Sequence, residues 1–263
     1  MGILNVTPDS FSDGGRFLKP ADAVRRGIAL AEEGADAIDV GGASTRPGAA
    51  RVSADEELRR VMPVIERLAA VARIPISIDT SKAAVAARAL AAGASIVNDV
   101  TALRGDSEMA SVVARTGAAV ILMHMAGTPR TMQQHPRYRD VVVEVAAFLR
   151  AAAARAERAG ITRSRIFIDP GLGFGKTVAH NLALMRSLER FAALGVPVVV
   201  GPSRKSFIGR TLDAEMDDRL AGTLACVARA RACGVAMVRV HDVKPAVQLI
   251  RMLDAITKEG KRA

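Results

Sequence analysis

The chain has 263 residues, half of them hydrophobic, with two cysteines and a formal net charge of +10 from 37 Lys+Arg against 27 Asp+Glu. That length suits one α/β barrel, and its core needs no disulfide or metal staple. Tryptophan is absent and aromatics are 3%. This excludes base-stacking platforms, so no nucleic-acid partner is expected.

The elements follow in chain order. The start, Met1-Gly2-Ile3-Leu4-Asn5, lacks the basic leader and long apolar run of a signal peptide. No apolar stretch of membrane-spanning length is free of charge, so a cytoplasmic protein without a membrane partner is expected. A strand at 1–4 is followed by a helix at 20–33, and the pair recurs: strand 37–40 with helix 54–72, 74–78 with 82–92, and 95–97 with 107–116. Further on come 119–123 with 138–159, 165–168 with 178–193, 196–200 with 218–233, and 236–240 with 244–257. Short continuous apolar strands separated by amphipathic helices imply a parallel sheet covered on its faces. Eight such pairs predict a closed (β/α)8 TIM barrel, a single domain over 1–263, with an open doubly wound sheet as the alternative. Gly34, Gly93, Gly117, Gly160, Gly195 and Gly234 fall at the predicted helix ends, where glycine supplies the left-handed cap. Cys226 and Cys233 share one helix face as buried reduced thiols.

In a barrel, chemistry gathers where strands end. Every predicted strand ends in a group that bonds or ionises: Asn5, Asp39, Asp79, Asn98 with Asp99, His124, Asp169, Ser203 with Lys205, and Arg239 with His241. Asp39 and Asp99 are expected only to tie loops down, and His124 to bond to backbone as a buried strand-end histidine. His135 and His180 read as solvated. The others sort into two sets. Asp79, Asn98 and Asp169 suit the donor edge of a flat heterocycle carrying amino and ring N–H groups. Lys205, Arg239 and His241, with Asn5, suit a phosphate group. Loop 5–15 after the first strand carries two carboxylates, Asp9 and Asp13, and Phe11, which is better placed to stack on an aromatic ligand than in a core. The loop around Thr45 and Arg46 is a second such segment. Asp169-Pro170-Gly171-Leu172-Gly173-Phe174-Gly175-Lys176 is no nucleotide P-loop, because the Walker spacing is missing.

Taken together these segments resemble the dihydropteroate synthase family of pterin-binding TIM barrels. Its first signature is matched by Met1-Gly2-Ile3-Leu4-Asn5-Val6-Thr7-Pro8-Asp9-Ser10-Phe11-Ser12-Asp13-Gly14-Gly15, and its second by Asp39-Val40-Gly41-Gly42-Ala43-Ser44-Thr45-Arg46-Pro47-Gly48. The similarity runs on through Ser77-Ile78-Asp79-Thr80, Asn98-Asp99-Val100, Met123-His124-Met125-Ala126-Gly127-Thr128-Pro129 and the glycine loop at 169–176. It ends with Ser203-Arg204-Lys205-Ser206-Phe207 and Val238-Arg239-Val240-His241-Asp242.

The resemblance implies a transferase of folate biosynthesis. It would join 6-hydroxymethyl-7,8-dihydropterin diphosphate to p-aminobenzoate, releasing diphosphate by an SN1-like route. It implies Mg2+ held through Asn5, a homodimer, and a sulfonamide target, since sulfonamides mimic p-aminobenzoate; small loop changes decide sensitivity or resistance, which the sequence does not reveal. It assigns pterin binding to Asp79, Asn98, Met123, Asp169, Phe174, Gly201 and Lys205. Diphosphate binding falls to Asn5, Thr45, Arg239 and His241, and the p-aminobenzoate pocket to Phe11, Thr45, Arg46, Pro47 and Ser203. Asp13 resembles the loop carboxylate that stabilises a cationic intermediate, and Asp79, Lys205, Arg239 and His241 complete the catalytic set. Two departures stand out. Ala43 replaces the family's usual glutamate, and the chain begins inside the first strand, so that either the start is misassigned or the barrel bottom is less well covered. The rivals are a pterin-binding methyltransferase, which needs neither the Arg239/His241 anion set nor the 45–47 loop, and a non-catalytic pterin binder, which would not need intact carboxylates and cations together.

Overall fold

The computed structural model describes residues 1–7, 20–44 and 48–257. Strands and helices alternate: β1 (Gly2–Asn5), α1 (Pro20–Glu32), β2 (Ile38–Gly41), α2 (Ala54–Val71), β3 (Ile76–Asp79), α3 (Ala83–Ala91), β4 (Ile96–Asp99), α4 (Met109–Thr116), β5 (Ala119–Met123) and α5 (Val141–Arg158). The second half adds β6 (Ile166–Asp169), α6 (Val178–Arg186), α7 (Leu188–Ala192), β7 (Val199–Val200), α8 (Ser206–Leu212), α9 (Leu220–Ala232), β8 (Met237–Val238) and α10 (Val243–Thr257).

The strands from β1 to β6 pair in sequence order, all parallel, and β7 pairs with β8. Two parallel bridges join these pieces, Ile168 to Val198 and Gly2 to Val240. Backbone bonds from Ile3 to Val240 (2.9 Å) and from Val240 to Met1 (3.0 Å) seal the last seam. The sheet thus closes into an eight-stranded barrel, the only arrangement that leaves a parallel sheet with no edge.

Local sequence explains the helices. Ser53 caps α2 by accepting from the Glu56 N–H at 3.2 Å, with three acids in the first turn against the helix dipole. Asp140 caps α5 through the Val142 and Val143 amides, so the helix expected from 138 begins at Val141. The six cap glycines all have positive φ. The helix expected over 178–193 breaks at Ser187 into α6 and α7. A further helix, α8, forms where a loop was expected, because burial of Phe207 and Ile208 outweighs the weak local propensity of a stretch containing Gly209.

The main core lies between sheet and helices. Inside the barrel, Met1, Ala37, Ile96, Ala119, Ile121 and Val199 plug the bottom. The expectation of a poorly covered bottom is therefore wrong: Met1 itself fills that layer at 6% exposure, its amine donating to the Val238 carbonyl at 3.0 Å. The opposite mouth carries a small apolar cluster of Val100, Met123, Met125, Met132 and Phe174.

Candidate active site

The strand register places the polar residues. Asn5 lies beside Gly41, Gly41 beside Asp79, and Asp79 beside Asn98. Met123 lies beside Asp169 across the barrel. Side chains at one level of a closed parallel sheet face a common interior, so these groups converge at one mouth.

At the centre stands Arg239. Its Nη2 donates to Asp79 Oδ2 at 2.9 Å, and its Nε donates to Asp39 Oδ2. That same Asp39 oxygen accepts from Asn98 Nδ2 at 3.0 Å. Two carboxylates share one guanidinium, so the centre is negatively charged when both are ionised. Burial pushes Asp79 up to about 7; Asp39, Glu57 and Asp99 add to the rise, and Arg239 opposes it. Asp169 is raised too, first by burial, while its Oδ1 accepts from the Gly171 amide at 2.7 Å.

This overturns one expectation and meets another. Asp39 does not tie a loop down. It is fully buried and orients Arg239 and Asn98, and its second oxygen has no partner among the described residues. Asp99 does hold a loop, accepting from the Thr101 and Leu103 amides at 2.8 Å each. Arg239, sorted from the sequence with the anion set, has two of its N–H groups engaged by the acids.

The apolar wall is Met123 and Phe174, with the Lys205 ammonium 4.1 Å above the Phe174 ring centroid. Gly201 follows β7, and a Cβ there would stand 3.8 Å from Arg239 Cβ. On the far side of Arg239, Ser203 Oγ accepts from the His241 backbone N–H at 3.1 Å and lies 3.0 Å from its Nδ1. Of the two roles the sequence left open to His241, donor or cation, the surroundings favour the donor. Burial first, then the nearby Arg239 and Arg204, lower its imidazole to about 3, so it is neutral at physiological pH. Phe11, Asp13, Thr45, Arg46 and Pro47 lie outside the described residues.

Residues 1–241 match the family model for pterin binding enzymes. The dihydropteroate synthase of Escherichia coli strain K12 is 47% identical over 264 residues, covering 100% of this chain and 93% of that protein. The Xanthomonas albilineans dihydropteroate synthase solved with 4-aminobenzoic acid is 48% identical, with a TM-score of 0.93, over 98% of this chain and 93% of that one. The same enzyme in complex with 7,8-dihydropteroate is 45% identical, with a TM-score of 0.89 over the same shares. This chain belongs to the dihydropteroate synthase family of pterin binding enzymes.

Membership makes the residues that sequence reading missed easier to interpret. Asp39 opens the family's second signature, yet its role became visible only with Arg239 beside it. The second is Lys176, at the end of the glycine loop, which is 3% exposed. Its Nζ contacts His124 Nδ1 and the Phe174 carbonyl, each at 2.9 Å. His124, expected to bond to backbone, contacts a lysine as well. No motif signals that pairing, because 52 residues separate the partners. His180, read as solvated, completes a capping box with Thr177 at the start of α6.

Proposed function

We propose that this chain catalyses the family's reaction: the C–O bond to diphosphate breaks first, and the amine of p-aminobenzoate then forms the C–N bond to the pterin methylene and gives up a proton to water. The Asp39–Arg239–Asp79 arrangement with Asn98 carries this reading. It offers an ionisable carboxylate and an amide side by side at the mouth, matched to the amino and ring N–H groups of a pterin.

Asp79, Asn98 and Asp169 bind the edge of the heterocycle. Met123 and Phe174 pack against its face, Lys205 reaches it from above, and Gly201 leaves the wall open. Departure of diphosphate in an SN1-like step leaves positive charge that the electron-rich ring spreads. His241, held neutral with Nδ1 against Ser203, has Nε2–H to offer a phosphate oxygen, and the remaining N–H groups of Arg239 offer more. Thr45 joins that diphosphate set. Phe11, Thr45, Arg46, Pro47 and Ser203 form the p-aminobenzoate pocket. Stabilisation of the developing cation falls to Asp13, and a site that excludes water protects that cation from hydrolysis.

The donor chemistry fits magnesium arriving with the diphosphate. A hard cation bound through phosphates needs only one or two protein oxygens. Asn5 presents its amide oxygen at the mouth, 3.8 Å from where a Gly41 side chain would begin. Magnesium, when bound, neutralises charge on the leaving group. We further propose one domain over 1–263, a homodimer, and a cytoplasmic location; no described helix is long and apolar enough to cross a membrane.

Turnover tests the reading. Incubation with the pterin diphosphate, p-aminobenzoate and magnesium should yield dihydropteroate and diphosphate in equal amounts. Normal pterin binding without product would favour the methyltransferase or non-catalytic alternative.

A further inference from the structure

Lys176 is a buried amine that the proposed chemistry does not use. No carboxylate bonds to it among the described residues; its partners are His124 Nδ1 and the Phe174 carbonyl at 2.9 Å each, and the His124 carbonyl at 3.4 Å. Burial first, then the charge of Lys205, pushes the amine down to about 7, with Asp169 opposing. A lysine in such a place costs stability that an apolar side chain of its size would not. Its presence there needs a reason.

We propose that Lys176 is a positioning residue, which clasps the end of β5 to the loop after β6 and so holds Phe174 and Lys205 as one wall of the heterocycle pocket. The inference rests on the functional reading above.

The backbone supports it. The loop lies against the chain after β5 more closely than side chains permit: a Cβ on Gly171 (φ +69°) would meet the His124 carbonyl oxygen at 2.0 Å, and one on Gly175 (φ +65°) would meet the Ala126 carbonyl oxygen at 2.9 Å. The Lys176 amine ties the two segments at their contact through the carbonyls of His124 and Phe174. Phe174, thus fixed, lies in the apolar cluster with Met123 and under the Lys205 ammonium. The His124 ring is held by Phe148, edge to face at 4.8 Å. The clasp is satisfied in either protonation state. An ammonium has three donors for two carbonyls and Nδ1. A neutral amine donates to the carbonyls and accepts from Nδ1–H of the other imidazole tautomer.

A double-mutant cycle tests this, using the full-length enzyme after the parent has been shown to turn over. Lys176→Met should raise the Kd for 6-hydroxymethylpterin, read by calorimetry, about tenfold while the KM for p-aminobenzoate stays within about twofold. In a Phe174→Ala background the same substitution should add less than about twofold, because its effect runs through that ring. Lys176→Arg, which keeps the donors, should recover most of the loss. Should Lys176→Met lose the circular-dichroism spectrum of the parent, Lys176→Gln takes its place in the cycle with the same expectations. Unchanged pterin affinity, equal changes for both substrates, or full additivity with Phe174→Ala would overturn the inference. An inactive parent would instead count against the functional reading.

Discussion

At the residue scale, the site is governed by one guanidinium between two carboxylates. Asp79 is raised to about 7 chiefly by burial, so in the free protein it holds a proton below that pH. A ligand that brings N–H donors needs the carboxylate form. Pterin affinity should therefore rise as pH increases through about 7, with proton release on binding below it; calorimetry across that range in buffers of different ionisation enthalpy reads both. A flat profile would remove Asp79 from the ligand edge. Asp79→Ala should weaken pterin binding by roughly 100-fold, the loss of two charge-assisted hydrogen bonds. Arg46→Ala should raise the KM for p-aminobenzoate several-fold more than that for the pterin, measured by steady-state kinetics; matched increases would contradict the pocket assignment. Asp79, Asn98 and Asp169 were legible in the sequence because each ends an apolar run, where a polar group has little structural reason to be. Asp39 was not, since a carboxylate at a strand end reads the same whether it caps a loop or orients an arginine 200 positions away.

At the element scale, the loop after β6 sets how closely the pocket wall approaches. Gly171 combines positive φ with a backbone contact that leaves no room for a Cβ. Gly171→Ala should destabilise the fold by about 2 kcal/mol or more, visible as a fall of several degrees in Tm, and should weaken pterin binding. An unchanged Tm would mean that the loop relaxes freely. The run of glycines at 171, 173 and 175 marked this loop as unusual in the sequence. What the spacing did not reveal was its partner, because loop contacts carry no periodicity. The helices were read nearly to their ends wherever a capping residue or a terminal glycine marked them. They were misread at Ser187 and in α8, where packing rather than local preference decides.

At the scale of the whole molecule, the buried histidines tie stability to pH. His124 is lowered from 6.5 to about 3, first by burial and then by the charges of Lys176 and Arg104. The unfolded chain takes up this proton below about 6.5 and the folded one does not, so the contribution of neutral His124 is full above that pH and is lost as pH falls towards 3. Asp79 works in the opposite direction, so the prediction is a difference: the stability gap between the parent and His124→Gln should shrink by a few kcal/mol between about pH 7 and 4 in urea unfolding. A gap independent of pH would place His124 outside this linkage.

The sequence by itself determined the alternation of parallel strands with covering helices, the helix stops and the strand ends at which polar residues gather. Those follow from hydrophobic spacing and terminal residues within single elements, and such patterns are local. Only the tertiary structure decided that Arg239 bridges Asp39 and Asp79, that burial lowers the His241 imidazole, and that the Lys176 amine meets His124 and the Phe174 carbonyl. Those facts depend on burial and on contacts between distant strands, which exist only once the barrel has closed.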